Sequence, residues 1–496
     1  MELHFQQSTC PYLKTVVSQV QNQEQTQEIR LSDGMPDIDK VLGCWGQPVI
    51  RGKEWRSDSI LLSGGMMAWV LYAPEDGGAP QCVEAWLPFQ MKWPLPETKR
   101  DGSISASMSI KSMNCRSISP RKMMLRGVVS VFAQAFEPSE AEVFAPEQVP
   151  EDVQLLVNSY PMELPVECAE KTFSVEEDWN HDWKDSHKTL GFEVYPDIQE
   201  QKVLADKLVF RGQCKIFVRW LTDDGEVASA EQDFPFSQFA ELKDVYSNHA
   251  QVRLSVLPTG VEMLVGESGK WQMKCGLTAQ YTIFDKVFLD LVEDAYSTTR
   301  EVTPIFQEWK LPVRLDTVEQ TVPYTHIVDA DEGQIVDVSA CWEQPYVAFD
   351  GETAQTEFSA QYQVMTKDES GNYHTALSRA EVPWEMLSAP KNRVSLQMQC
   401  IQPRVSSKIE GAELDGEILV TADVFSGNEI SMVTGLELGE KKTPDGNRPA
   451  IILRKLGQNR LWDVAKECGS TVEAIERANP QREPMDEETM LLIPVC

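Results

Sequence analysis

Along most of the chain, apolar and polar residues alternate with a period of two, the signature of half-buried strands. Three stretches show it most plainly. Leu62-Ser63-Gly64-Gly65-Met66-Met67-Ala68-Trp69-Val70-Leu71-Tyr72 runs into Glu75-Asp76-Gly77. Val209-Phe210-Arg211-Gly212-Gln213-Cys214-Lys215-Ile216-Phe217-Val218-Arg219-Trp220 runs into Asp223-Asp224-Gly225. Glu357-Phe358-Ser359-Ala360-Gln361-Tyr362-Gln363-Val364-Met365 runs into Glu369-Ser370-Gly371. Each predicts a strand, an acidic turn closed by glycine, and a returning strand, because glycine takes positive φ without a steric penalty.

The returning strands share a proline followed by an aromatic: Leu87-Pro88-Phe89, Phe234-Pro235-Phe236 and Val382-Pro383-Trp384. Proline lacks a ladder donor, so these three are expected to be strand ends. Upstream, Met35-Pro36-Asp37-Ile38-Asp39 is expected to match Tyr195-Pro196-Asp197-Ile198-Gln199, with a third copy worn down to Asp329-Ala330-Asp331-Glu332-Gly333. Downstream, the runs Leu125–Phe132, Lys274–Tyr281 and Asp415–Ala422 answer one another. The chain therefore reads as mainly β, with three sandwich-like β-rich repeats in tandem over 1–150, 151–303 and 304–438. Prolines mark the junctions, at Pro138, Pro146, Pro150, Pro161 and Pro165, and again at Pro304, Pro312 and Pro323. Linked copies suit a spacer or a multivalent scaffold, since tethering raises the effective concentration at a partner.

The period changes near the end. Residues 439–449 are polar and rich in Gly and Pro, and predict a linker. Ala450-Ile451-Ile452-Leu453 predicts a short strand. Leu461, Val464, Ala465 and Cys468 fall on one helical face, and Gly469 is placed to cap it. Ser470-Thr471-Val472-Glu473 has the spacing of a capping box opening a second helix, in which Val472 and Ile475 face inward until Asn479-Pro480 stops it. Leu491-Leu492-Ile493-Pro494 closes the unit as a strand, so 450–496 is expected to be a small α+β domain of order βααβ.

This unit resembles a LysM domain. The resemblance is carried by Gly457, Leu461-Trp462-Asp463-Val464-Ala465-Lys466, Gly469-Ser470-Thr471-Val472, Ile475, Asn479-Pro480 and Leu492-Ile493-Pro494. LysM modules bind N-acetylglucosamine-containing glycans, chiefly peptidoglycan, in a groove between two loops. By position the resemblance implies a groove of Gly457, Gln458, Asn459, Arg460 and Leu461 on one side and Ala478, Asn479, Pro480 and Gln481 on the other. Gln458-Asn459-Arg460 departs from the Gly-Asp-Thr that usually precedes the leucine, which alters one groove loop. Leu461, Trp462, Val464, Ala465, Ile475, Leu492 and Ile493 are expected to be core, leaving the loops as candidate ligands.

The acidic-glycine hairpins, together with Gln25-Thr26-Gln27 and Ile29-Arg30-Leu31-Ser32-Asp33, resemble a repeat family of spore-forming Firmicutes. Such repeats followed by a terminal LysM module resemble the clostridial spore-coat assembly proteins, which bind the coat morphogenetic ATPase at the forespore surface. The resemblance implies a mother-cell cytoplasmic scaffold whose partner is that ATPase or another coat protein. The alternative is a glycan binder with the repeats as spacers, and a wall hydrolase tethered by the module stands behind both.

Charge and chemistry narrow this further. A net charge of −32 opposes binding to nucleic acid or anionic lipid. No run approaches the roughly 18 apolar residues of a membrane span, and Met1–Val20 lacks the basic start and apolar stretch of a signal peptide. The eleven cysteines are scattered with no C-x-x-C pair, as expected of small buried hydrophobes in a reducing compartment. His181 and His187, the one close histidine pair, fit no common metal motif. No nucleophile elbow, phosphate loop or dinucleotide fingerprint is present. The expectation is no catalytic residue, no metal and no cofactor. Trp45, Trp55, Trp86 and Trp93 are expected to be sheet core.

Overall fold

A computed structural model describes residues 2–96, 100–147, 149–181, 188–265, 270–331, 333–400, 403–408, 411–442, 449–480, 487 and 489–495. The first segment holds β1 (Glu2–His4), β2 (Gln6–Arg30), β3 (Ile38–Trp55), β4 (Ser59–Pro74), β5 (Gln81–Pro94), β6 (Ser103–Ser119) and β7 (Lys122–Ala145). The second holds β8 (Val153–Asp178), β9 (Lys188–Leu204), β10 (Lys207–Leu221), β11 (Val227–Glu241), β12 (Gln251–Val265) and β13 (Trp271–Ser297). The third holds β14 (Arg300–Trp309), β15 (Arg314–Val328), β16 (Gln334–Trp342), β17 (Ala348–Asp350), β18 (Thr353–Lys367), β19 (Tyr373–Leu387), β20 (Arg393–Cys400), β21 (Arg404–Lys408), β22 (Gly411–Phe425) and β23 (Ile430–Lys441). Last come β24 (Ile451–Lys455), α1 (Leu461–Cys468), α2 (Val472–Ala478) and β25 (Met490–Pro494). The protein is mainly β.

The same pair of antiparallel sheets occurs three times: β3-β4-β5 with β2-β7-β6, β9-β10-β11 with β8-β13-β12, and β16-β18-β19 with β15-β22-β20. Each pair encloses its own core, built on Leu62, Trp93 and Leu125 in the first, Phe210, Phe234 and Leu277 in the second, and Phe358, Tyr362 and Ile418 in the third. The alternation explains this: the inward set of β10 is Leu208, Phe210, Cys214, Ile216 and Val218, every second residue apart from Gly212. Three further cores mix all three segments. In one, Cys10 and Ala141 meet Met162, Leu289, Trp309 and Met432. β1 pairs with β23, so the first strand closes onto the last long strand of the third segment.

The acidic-glycine turns form as their sequence predicts. Gly77, Gly225 and Gly371 have φ of 71°, 77° and 89°, and their N–H groups bond the carbonyls of Pro74, Thr222 and Asp368 at 3.2, 2.9 and 3.0 Å. The proline–aromatic pairs are not strand ends. Pro88, Pro235 and Pro383 lie inside β5, β11 and β19. Each is an edge strand of its sheet, where a missing N–H can face the unpaired side. The aromatic that follows is used across the strand: Phe89 lies opposite Gly64 and Phe236 opposite Gly212. A Cβ at either glycine would come within 2.1 Å of Val49 O or 2.0 Å of Asp197 O, so only glycine permits the close approach.

Register also corrects the upstream motif. Pro196 pairs with Cys214 and Ile198 with Gly212, just before a bulge. Their counterparts in the first segment are Pro48, opposite Met66, and Ile50, opposite Gly64, also before a bulge. Met35-Pro36-Asp37-Ile38 instead leads into β3. Asp329–Gly333 falls between β15 and β16. Cys341-Trp342-Glu343-Gln344-Pro345 shares the letters Cys-Trp-x-Gln-Pro with Cys44-Trp45-Gly46-Gln47-Pro48. The linker starts later than 439, because Lys441 still pairs with Arg300, and 443–448 lie outside the described residues. Trp45 and Trp93 are buried, and Trp55 and Trp86 are half-buried. The ten described cysteines are unpaired and buried or half-buried, and Cys496 lies outside the described residues.

Candidate functional site

The C-terminal segment folds as its periodicity predicts, with β24 and β25 antiparallel and two helices between them. Val464, Ala465 and Cys468 bury one face of α1, and Gly469 ends it at φ 65°. The cap of α2 is Thr471 rather than Ser470: the Thr471 hydroxyl accepts from Ala474 N at 3.1 Å. The Ser470 carbonyl accepts the Tyr296 hydroxyl at 2.9 Å. Trp462, Val464, Ala465, Ile475, Leu491 and Ile493 form the core. Leu461, Val472 and Leu492 are only half-buried.

The nine expected groove residues separate into different roles. Gln458, Asn459 and Pro480 are exposed, while Gly457, at φ 62°, Leu461 and Ala478 are half-buried. Asn459 Nδ2 donates to Leu456 O at 3.4 Å. Gly457 N donates to Glu487 O at 3.0 Å, tying the first loop to the second. Asn479 is a structural pin, only 4% exposed. Its Nδ2 donates to Ile475 O and Leu492 O at 2.7 and 2.8 Å, and its Oδ1 accepts from Leu492 N at 3.0 Å. Arg460 pairs with Asp463 at 3.2 Å and reaches Glu293 at 3.5 Å. Gln481 lies outside the described residues.

Arg460 marks a seam that the sequence did not reveal. Asp294 on β13 accepts from Trp462 Nε1 at 2.8 Å and from Lys466 Nζ at 2.7 Å. Tyr296 packs edge-on against Trp462 with ring centroids 4.7 Å apart. Burial works against the Asp294 carboxylate, but the bonds from Lys466 and Trp462 outweigh it and hold its pKa below the ordinary value. The whole α1 face beside these residues is therefore committed to the second segment.

A second site lies where the three segments meet. Strands β3, β6, β9, β12 and β20, with residues from the third segment's β15, β16 and β22, surround a cavity of about 540 Å³. Its wall includes Gln47, Ser109, Tyr195, Arg253, Trp342 and Gln399. Beside it sits a buried polar knot. Arg219, on β10, is fully buried and donates from Nε to Asp337 Oδ1 at 2.6 Å and from Nη1 to Glu193 Oε1 at 2.8 Å. Trp45 Nε1 donates to Asp337 Oδ2 at 3.0 Å, so one carboxylate ties all three segments together. Burial disfavours the Arg219 charge, yet Asp337 and Glu193 hold its pKa above the ordinary value. Tyr195, whose hydroxyl donates to Glu193 Oε2 at 2.5 Å, has its pKa pushed well up by burial and by that carboxylate. The one signal for this knot in the sequence was a charge inside the apolar run Phe217-Val218-Arg219-Trp220-Leu221.

Among the described residues, no group of three His, Cys, Asp or Glu side chains could hold a metal ion. His181 Nε2 lies 3.2 Å from Glu231 O, and His187 is outside the described residues. No helix among the described residues is long and apolar enough to cross a membrane.

Residues 187–263 match the family described as SipL, SPOCS domain. The match spans β9, β10 and β11 with most of β12, and so includes the knot's Arg219 and Glu193 and the cavity wall at Arg253. It links the chain to sporulation and the spore coat. No curated protein matches the chain, and no solved structure matches it.

Proposed function

We propose that this chain is a non-enzymatic scaffold of spore-coat or envelope assembly. On this reading it consists of three related β-rich repeats and a LysM-like C-terminal module, works in the mother cell at the forespore surface, and binds the coat morphogenetic ATPase or another coat protein. The observation that carries the reading is the sporulation-family match over 187–263. The position of the module adds to it. A tether for a remote glycan would gain from a loose connection, whereas this module is clamped to β13 through Asp294 and Tyr296. A clamped module presents its loops in a fixed orientation to the body, which suits a scaffold, because preorganised surfaces bind without a further ordering cost.

Gln458 and Asn459 are exposed in the first loop and take no part in the seam, so they are the ones to change. The test is a pull-down with the full chain and a Gln458→Ala/Asn459→Ala variant, against the purified coat ATPase and against peptidoglycan in parallel. Capture by the ATPase, weakened at least fivefold in the variant, is the expected result. Capture by peptidoglycan alone would replace the scaffold reading with the glycan one.

A further inference from the structure

The three segments meet through matching positions, and one junction is built differently from the others. Phe136, Phe284 and Phe425 stand at equivalent places on β7, β13 and β22. Two residues before the first and last, and likewise before the second, stand Gln134, Asp423 and Thr282, paired across the sheet with Ser105, Ser395 and Arg253. Gln134 of the first segment donates to Ser395 of the third at 3.3 Å, a neutral contact. Thr282 and Ser105 are neutral as well. At the remaining junction Asp423 of the third segment meets Arg253 of the second at 3.1 Å, so an ion pair stands where the others have uncharged groups.

That junction carries more positive charge than its carboxylates balance. Arg314 binds Glu163 through both Nε and Nη2, at 3.1 and 2.9 Å, and lies 3.6 Å from Asp423. Asp423 and Glu163 thus serve Arg253 and Arg314. Arg393 stacks on Phe425 at 4.8 Å and donates to Thr15 at 3.2 Å, with no carboxylate partner among the described residues. The Nε and Nη2 of Arg253 and the Nε of Arg393 are buried and find no acceptor among the described residues. Nε and Nη2 form the edge with which arginine grips a carboxylate or phosphate in a fork. The side chains of Arg253 and Arg314 are only 8% and 3% exposed. Uncompensated guanidinium charge at such depth is costly, and a counter-anion relieves it. Burial and mutual repulsion agree with this: the pKa of Arg253 is lowered, and that of Arg393 falls to about 10.

We infer that the cavity between the three segments is a binding site for a small oxyanion, a phosphate or a compact carboxylate, held at its Arg253 and Arg314 wall. Both residues line the cavity, whose volume of about 540 Å³ admits such a group with its first waters. Glu193, which also lines it, is held by Arg219. Asp423 on the same wall pairs with Arg253 and accepts from Thr317, but its Oδ2 is buried without a hydrogen bond among the described residues and opposes an anion there. Glu319 is exposed on the same wall and opposes an anion there. The net charge of −32 slows entry of an anion without removing the local excess.

The test is calorimetric titration of the full chain with inorganic phosphate and, separately, with malonate, at constant ionic strength. Saturable binding of one or both to a single site is expected, and which probe binds tells phosphate from carboxylate. Arg253→Gln should weaken binding at least tenfold. Asp423→Asn, which adds to the surplus of positive charge, should tighten it severalfold. The opposite signs separate a site from simple damage, because misfolding weakens both. If Arg253→Gln does not fold, tightening by Asp423→Asn still decides in favour. No binding of either probe to the unmodified chain, unchanged binding in Arg253→Gln, or weaker binding in Asp423→Asn overturns the inference.

Discussion

Replacing Arg219 by methionine tests whether the buried knot couples the segments. Methionine fills much of the same volume but removes the guanidinium. Among the described residues, Asp337, 1% exposed on its side chain, then keeps only the Trp45 donor, and Glu193 keeps only Tyr195. Leaving a buried charge without its partner costs about 3–5 kcal/mol, whereas neutralising a whole buried cluster is often close to free. Arg219→Met should therefore lower stability by about 4 kcal/mol. The triple variant Arg219→Met/Asp337→Asn/Glu193→Gln should recover more than half of that loss, because its amides retain the acceptors for Trp45 and Tyr195. The assay is urea unfolding of the full chain followed by far-ultraviolet circular dichroism. A loss under about 1 kcal/mol in the single variant would show that the cluster is solvated or adjustable. A triple variant no more stable than the single would show that the loss comes from shape rather than charge, and either result overturns a coupling by buried charge.

The seam and the module give two more predictions. Asp294→Asn keeps an acceptor for Trp462 but loses the ion pair to Lys466, which is 43% exposed, so the cost should be at most about 1 kcal/mol, read as faster hydrogen exchange over 461–478. The Asp294 pKa is depressed, so its contribution is complete above the ordinary aspartate value of about 3.9 and disappears as pH falls through the lower folded-state value. Exchange protection of the module, corrected for intrinsic rates, should be flat from neutral pH to about 5 and fall in stronger acid, less steeply in Asp294→Asn. Asn479→Ala removes three buried hydrogen bonds and should cost about 2–4 kcal/mol, unfolding the module while the β body keeps its urea midpoint.

Much of the β body was legible because its signals are local. Alternation in Phe210–Val218 and glycine at positive φ in the three hairpin turns each act within a few residues. The proline–aromatic pairs were misread because proline in a strand has two explanations, an end or an edge, and only sheet order separates them. The upstream motif was misaligned for a similar reason: Pro36-Asp37-Ile38 matches Pro196-Asp197-Ile198 letter for letter, but register is set by the glycine opposite, and Gly64 faces Ile50. In the module, helix bounds and the terminal glycine could be read from period and cap chemistry. The internal pinning by Asn479 could not, since a loop asparagine looks the same whether it binds a ligand or its own backbone. The knot, the cavity and the seam join residues more than a hundred positions apart in several contacts, such as Trp462 with Asp294, and no period or spacing encodes such pairs.

The seam also limits how a partner can approach. The module follows the third segment in sequence, yet it is held by β13 of the second, through Asp294, Tyr296 and Glu293. Its α1 face is thereby covered, and Asn479 and the Gly457–Glu487 bond fix the two loops to each other. Among the described loop residues, Gln458–Asn459 and Pro480 remain open on that side. A partner that engages these residues must come to rest beside the end of β13, with the three-segment body at a set angle behind it. Binding at the module would then orient the whole β body, which is what a scaffold needs and a flexible tether does not supply. This consequence separates the readings physically: loosening the seam should harm an oriented assembly even where the loops still bind, whereas a glycan tether would lose nothing by it.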